Sequence, residues 1–291
     1  MRLPPYEPGA SAGPWPGGRR VAVWPVVNIE RFELGVPGPA LQPHLVSGLD
    51  IANYAWRDYG LRAGVHRVFA VFDDLGLPAT AALNASLCHL CPDVVAGVVE
   101  RGWEVMAHGW DNSGRHADLT PEEEGERIRA TVATLADATG AHVGGWLTPG
   151  FALSPVTLDL LAEAGLDYTA DWCGDDRPLW WPTGSGRLLA IPYSLETNDI
   201  TLLLSMRYPP DRYVQAVVDH VAQLCTEPGG TVVALGLHPF LVGQPGRVAH
   251  LRRCLETVAA LPGVWVATGR DIHAITAKER ENDELSTAER P

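Results

Sequence analysis

Two stretches of this chain, residues 21–27 (Val-Ala-Val-Trp-Pro-Val-Val) and 231–237 (Thr-Val-Val-Ala-Leu-Gly-Leu), are almost continuously apolar. A strand with one wet face alternates apolar and polar residues. A run without alternation suits a strand covered on both faces, as in a parallel sheet flanked by helices. Between the two runs, strand-like and helix-like segments take turns. Residues 65–76 read as a helix ending at Gly76, 78–83 as a strand, and 92–101 as a helix with valines at 94, 95, 98 and 99. Thr120-Pro121-Glu122-Glu123 is a helix start, with Thr as N-cap, Pro at the first position and Glu at the third. Strands are expected over 143–147, 168–172, 188–192 and 264–267. Helices are expected from Ser154-Pro155 to Ala164, over 213–225 and over 248–260. Repeated strand–helix units predict an α/β fold, and seven or eight parallel strands favour a distorted (β/α) barrel over an open sheet.

The chain has 291 residues, an ordinary length for one such barrel. Residues 1–20 are rich in Pro and Gly and read as an arm, placed on a neighbouring subunit in a homo-oligomer. Residues 277–291 read as a charged tail, which leaves one domain over 21–276. The net charge is −13, so nucleic acid and anionic membranes are poor partners and a small molecule is the expected one. No apolar run is long enough to span a bilayer, and the first residues lack the core of a signal peptide. A cytoplasmic location is expected. Five cysteines are read as reduced, mostly buried thiols: Cys88 and Cys91 form a C-x-x-C around His89, but a zinc knuckle needs a second pair.

The carboxyl ends of barrel strands collect chemistry. His108 follows the strand-like run 102–107, and His238 follows 231–237. Just past the first run, Asn28 and Glu30 fall on one face of an extended backbone. Glu30, His108 and His238 are therefore the candidate catalytic residues. Four residues after His108, where a second metal-binding imidazole would sit, stands Asn112, a poor ligand for Zn²⁺.

Six motifs in order resemble the polysaccharide deacetylase (NodB-homology) superfamily, and more closely its branch of allantoinase-type and cyclic-imide hydrolases and an atypical peptidoglycan deacetylase. They are residues 28–30 (Asn-Ile-Glu), 59–64, 100–110, 175–180 (Asp-Asp-Arg-Pro-Leu-Trp), 191–199 and 237–247. The run Phe72-Asp73-Asp74-Leu75-Gly76 mimics the superfamily's metal motif, but it closes a helix instead of the first strand and is set aside. The resemblance implies a NodB-like barrel and hydrolysis of a non-peptide C–N bond. It puts Asn28 at the base position, Glu30 and His108 at two ligand positions and Asn112 at the third. With two of three ligand positions altered, no tightly bound metal is expected. The alternative is a metal-dependent deacetylase in which Asp111 or His116 rescues a zinc site with Glu30 and His108. Another is an inactive member that binds a ligand.

Without metal-bound hydroxide, a side chain must draw the proton from water, which is modest help. This favours a cyclic amide, imide or ureide over an acetamide. Glu30 or His108 is the expected base, and His238 the proton donor to nitrogen or the oxyanion partner. Asn28 and Asn112 are expected to bond substrate, with Asp175, Asp176, Asn198 and Asp199 binding substrate or bracing loops. Trp110, Trp180 and Trp181 are expected to wall the pocket, and Arg247 to clamp structure.

Overall fold

A computed structural model describes residues 14–42 and 49–288, with side chains described as far as residue 282. Its strands are β1 (Val21–Ile29), β2 (Thr80–Leu83), β3 (Glu104–Ala107), β4 (Gly145–Trp146), β5 (Tyr168–Thr169), β6 (Leu179–Thr183), β7 (Gly186–Ala190), β8 (Thr231–Leu237) and β9 (Val264–Val266). The long helices are α1 (Ile51–Tyr59), α2 (Val65–Leu75), α4 (Pro92–Glu100), α5 (Pro121–Thr139), α6 (Thr157–Glu163), α7 (Pro210–Leu224), α9 (Pro245–Ala259) and α10 (Gly269–Ala288). Two short ones, α3 (Leu87–Leu90) and α8 (Pro239–Val242), complete the set.

The sheet order is β6-β7-β5-β4-β3-β2-β1-β8, with β9 on β1. Eight strands run parallel, and only β6 is antiparallel, to β7. The path curls into a distorted (β/α) barrel. Its ends meet through a backbone bond from Val232 N–H to the Asp176 carbonyl, 2.8 Å, instead of a ladder.

Every residue of β1 is buried, as its unbroken apolar run requires. Pro25 sits mid-strand without breaking it. Residues 21–23 pair with β9 and residues 26–29 with β2. The Val23 and Ile29 carbonyls, two and four residues from Pro25, bond toward that shared edge, so by period 2 the missing N–H of Pro25 falls where β9 hands over to β2.

The Thr120 capping box on α5 forms as expected, and α2 ends on Gly76 in the left-handed conformation. Three expectations shift. Helix α6 starts at Thr157, with Val156 at its cap, because Ser154 spends its hydroxyl on Glu124. Helix α10 continues to Ala288, through most of the segment expected as tail. The described part of the arm packs on its own chain: Trp15, 1% exposed, donates its indole N–H to the Thr231 carbonyl at 2.8 Å and lies against Trp265. Residues 1–13 lie outside the described residues. Of the five free cysteines only Cys254 is buried, which corrects the expectation of mostly buried thiols; Cys173 is exposed. No helix among the described residues is long and apolar enough to cross a membrane.

The floor of the barrel, at the amino ends of the strands, carries a buried polar group. Thr80 and Tyr168 donate their hydroxyls to the two oxygens of Glu104 at 2.6 and 2.8 Å, and Trp24 donates its indole N–H to Thr80 at 2.7 Å.

Candidate active site

At the opposite mouth, three strands deliver the residues picked out from the sequence. Glu30 follows β1, His108 follows β3 and His238 follows β8. They meet in one cavity of about 410 Å³, also lined by Asn28, Asn112, Tyr193 and Asn198.

His108 fixes the local protonation. Its Nδ1 lies 2.7 Å from the Leu147 carbonyl, which can only accept, so Nδ1 carries a hydrogen. Its Nε2 faces Glu30 Oε1 at 3.1 Å. Two lone pairs would repel at that distance, so one proton must lie between them. Asn112 donates its amide N–H to the same Oε1 at 2.6 Å. The Asn112 amide is in turn oriented by Asn84, whose N–H bonds its Oδ1 at 2.9 Å, while Asn84 also donates to the His108 carbonyl and accepts from Arg31 N–H. The other oxygen, Glu30 Oε2, is buried with no partner in the protein.

His238 is held from behind. It donates Nδ1–H to Asp199 Oδ1 at 2.6 Å, and its backbone N–H bonds Asp199 Oδ2 at 2.7 Å. Its Nε2 is 3.7 Å from Glu30 Oε1. Burial alone would lower the His238 pKa, but the carboxylates of Asp199 and Glu30 outweigh it and hold it above its ordinary value. Burial alone would raise the Glu30 carboxyl. The neighbouring His238, then His108 and Asn112, overcome that and hold it below the ordinary carboxylate range.

Tyr193, just past β7, was not singled out by sequence reasoning. Its hydroxyl oxygen accepts from Asn28 Nδ2 at 2.8 Å and from Asn198 Nδ2 at 3.2 Å. Both amide orientations are independently set. Asn198 Oδ1 accepts Ile200 N–H at 2.8 Å, and Asn28 Nδ2 also reaches the Val26 and Leu237 carbonyls. With both donors arriving, the phenol's own proton is free to point into the cavity. Burial pushes the Tyr193 phenol up, so it stays protonated at neutral pH.

Several expected site residues lie elsewhere. Trp110 packs against the apolar layer outside the sheet and does not line the cavity. Trp180 faces His273 and Arg280 of α10, and Trp181 is buried against Trp172 at 4.8 Å. Asp175 and Asp176 are exposed near the floor. The Asp175 carboxylate accepts Arg177 N–H, and the Asp176 carbonyl joins β8 near its start. Asp175 and Asp176 precede the antiparallel β6, Trp180 and Trp181 lie within it, and none of the four lines the cavity. The proposed rescuing ligands are spent as well. His116 is buried on Glu124 at 3.3 Å, and Asp111 accepts from the N–H groups of Ser113 and Gly114. Asp73 and Asp74 pair on the surface with Arg101 and Arg252. Arg247 reaches the Leu241 carbonyl, in keeping with a structural clamp.

The residues 59–64 motif has a mechanical reason. A π-helical turn, Gly60–Gly64, joins α1 to α2, and a Cβ on Gly64 would lie 2.1 Å from the Pro239 carbonyl oxygen. Only glycine lets this turn pack directly behind His238.

Comparisons with known proteins bear on the fold and the family. The polysaccharide deacetylase family profile matches residues 55–169. A Schizosaccharomyces pombe protein assigned as a polysaccharide deacetylase is 28% identical, covering 89% of this chain and 91% of its own. A Helicobacter pylori peptidoglycan deacetylase is 26% identical over 47% of this chain and 46% of its own length. The crystal structure of PuuE allantoinase superposes with a TM-score of 0.82 at 27% identity, covering 90% of this chain and 91% of that one. Residues 55–169 therefore carry the polysaccharide deacetylase match, and the chain as a whole is similar to NodB-homology hydrolases acting on carbon–nitrogen bonds other than peptide bonds.

Proposed function

We propose that this hydrolase opens the C–N bond of a cyclic amide, imide or ureide, using Glu30 as base and His238 as acid. One observation carries the reading: a buried carboxylate with one oxygen unpartnered stands between two imidazoles whose outer nitrogens are pinned to protein acceptors.

The wider superfamily implies a divalent metal, and the residues here do not fit one. Asn112 turns an N–H donor toward Glu30, where a ligand would turn a lone pair. Among the described residues no group of three or more His, Cys, Asp and Glu side chains is placed to hold a metal ion.

Water adds to the ring carbonyl and gives its proton to Glu30. The carbonyl electron pair moves onto oxygen, where the Tyr193 O–H donates to it. The tetrahedral carbon then expels nitrogen, which takes a proton from His238. The product is one ring-opened molecule with a carboxylic acid at one end and the newly protonated nitrogen at the other. Glu30 now holds an extra proton and His238 lacks one. Transfer across the 3.7 Å between them restores both. Asp199 keeps His238 oriented, and Asn28 and Asn198 keep Tyr193 oriented. Base and acid catalysis contribute roughly 10²–10⁴ each way in such sites. That contribution suits a strained or electron-poor ring better than an acetamide.

The test is a hydrolysis screen on hydantoin, succinimide, dihydrouracil and N-acetylglucosamine oligomers, with the purified chain analysed for bound metal and assayed with chelator. Ring opening that persists in chelator, by protein holding far less than one metal per chain, is expected. Acetyl release abolished by chelator would replace this reading with a metal-dependent deacetylase. Inactivity on the whole panel would overturn it in favour of a ligand-binding member.

A further inference from the structure

Beside the catalytic cavity lies a larger chamber of about 740 Å³, lined chiefly by Phe151, Leu153, Pro155, Leu158, Trp172 and Leu195. Phe151 and Leu195 also line the catalytic cavity, so these two side chains are a shared partition. We propose that the chamber is a substrate subsite that receives a bulky hydrocarbon or aryl substituent carried on the scissile ring. The inference rests on the cyclic-amide reading and narrows its substrate class.

Three observations carry it. First, the polar side chains on the chamber wall have nothing left to offer. Asp171 accepts the Thr148 N–H and hydroxyl, both at 2.7 Å, and the Thr169 hydroxyl at 3.0 Å. Ser154 gives its hydroxyl to Glu124 at 2.5 Å and accepts Val156 N–H. A polar substituent entering here would shed water without gaining partners, whereas an apolar one loses nothing. Second, the depression is open and larger than the catalytic cavity beside it, so it can admit a bulky substituent from that side. Third, the partition is held in place. Phe151 has φ 53°, a left-handed backbone that a phenylalanine rarely adopts, and its ring lies 5.9 Å from that of Tyr193. Leu195 is 47% exposed, so an apolar side chain at the junction is only half covered by the described residues. A ring seated against Glu30 and Tyr193 would thus direct a substituent past Phe151.

The experiment compares hydantoin with 5-benzylhydantoin on the wild-type chain and on Cys173→Trp and Leu153→Trp. Cys173 is exposed on the chamber rim, so a tryptophan there fills space without entering the core. The expected kcat/KM for the benzyl compound exceeds that for hydantoin by about tenfold or more, the scale on which apolar pockets discriminate. Both variants should erase the gain and leave hydantoin kinetics unchanged. Equal rates on the two compounds, or variants that slow both alike, would overturn the subsite while the hydrolase reading stands. A change in oligomeric state by light scattering, in place of selective loss, would mark the chamber as a contact between copies and also overturn it. If neither compound is turned over, the hydantoin form of the functional reading fails, and calorimetric binding of the same two compounds decides the chamber. Tighter benzyl binding that Cys173→Trp removes supports it; equal or absent binding ends it.

Discussion

At the scale of single residues, the mouth of the barrel is defined by where protons sit. Glu30→Gln keeps the side-chain volume and removes the base, so turnover should fall to background with little change in Tm. Steady-state assays beside thermal melts check this. Tyr193→Phe deletes one donor to the developing oxyanion and should lower kcat on the order of 10²–10³-fold with KM nearly unchanged. The pH profile follows from the two shifts. Glu30 works ionised and its pKa lies below 4.5, so activity is lost as pH falls through that lowered value. His238 works protonated and its pKa lies above 6.5, so activity is lost as pH climbs past the raised value. A plateau wider than that interval is expected in kcat/KM. Asp199→Asn removes the carboxylate bonded to His238 Nδ1 and should draw the alkaline limb toward lower pH, which a merely structural role would not do. Glu30, His108 and His238 were legible in the sequence because each directly follows a strand or an apolar run. Tyr193 and Asn84 were not. They follow short strands, and their roles arise from amides brought in from distant segments.

At the scale of elements, the strands act as rails that set the site's register. Gly236 in β8 illustrates the coupling. A Cβ there would lie 2.5 Å from the Tyr193 hydroxyl and 2.6 Å from Asn198 Nδ2. Gly236→Ala should therefore displace the phenol and cost far more in kcat than in folding, as read by assay and by a retained circular dichroism spectrum. Elements were legible in proportion to their length and periodicity. Strands β1 and β8 declare themselves through unbroken apolar runs, and α5 through its capping box. Strands β4 and β5, of two residues each, carry almost no pattern. The β6–β7 hairpin contradicts the strand–helix alternation on which the parallel reading relied. Asp175, Asp176 and Trp180 were assigned to substrate through a motif resemblance, which carries no information on where the loop before this hairpin places them.

At the scale of the whole molecule, mouth and floor are separated by most of a strand, about 20 Å over six residues from Trp24 to Glu30 at extended rise. The floor is bound by Glu104, whose carboxyl burial pushes up and whose partners Thr80 and Tyr168 pull back down. Glu104→Ala would strand both hydroxyls in the interior. A loss of about 3 kcal/mol in unfolding free energy is expected, with kcat per folded molecule unchanged. Denaturant titration and active-site-normalised assays separate the two effects. Such a division of labour means that durability and selectivity can be tuned on different parts of the gene. Randomising the chamber wall at Cys173 and Leu153 would explore new side groups without touching the ring that is cut, and the buried tie beneath would carry the mutational load.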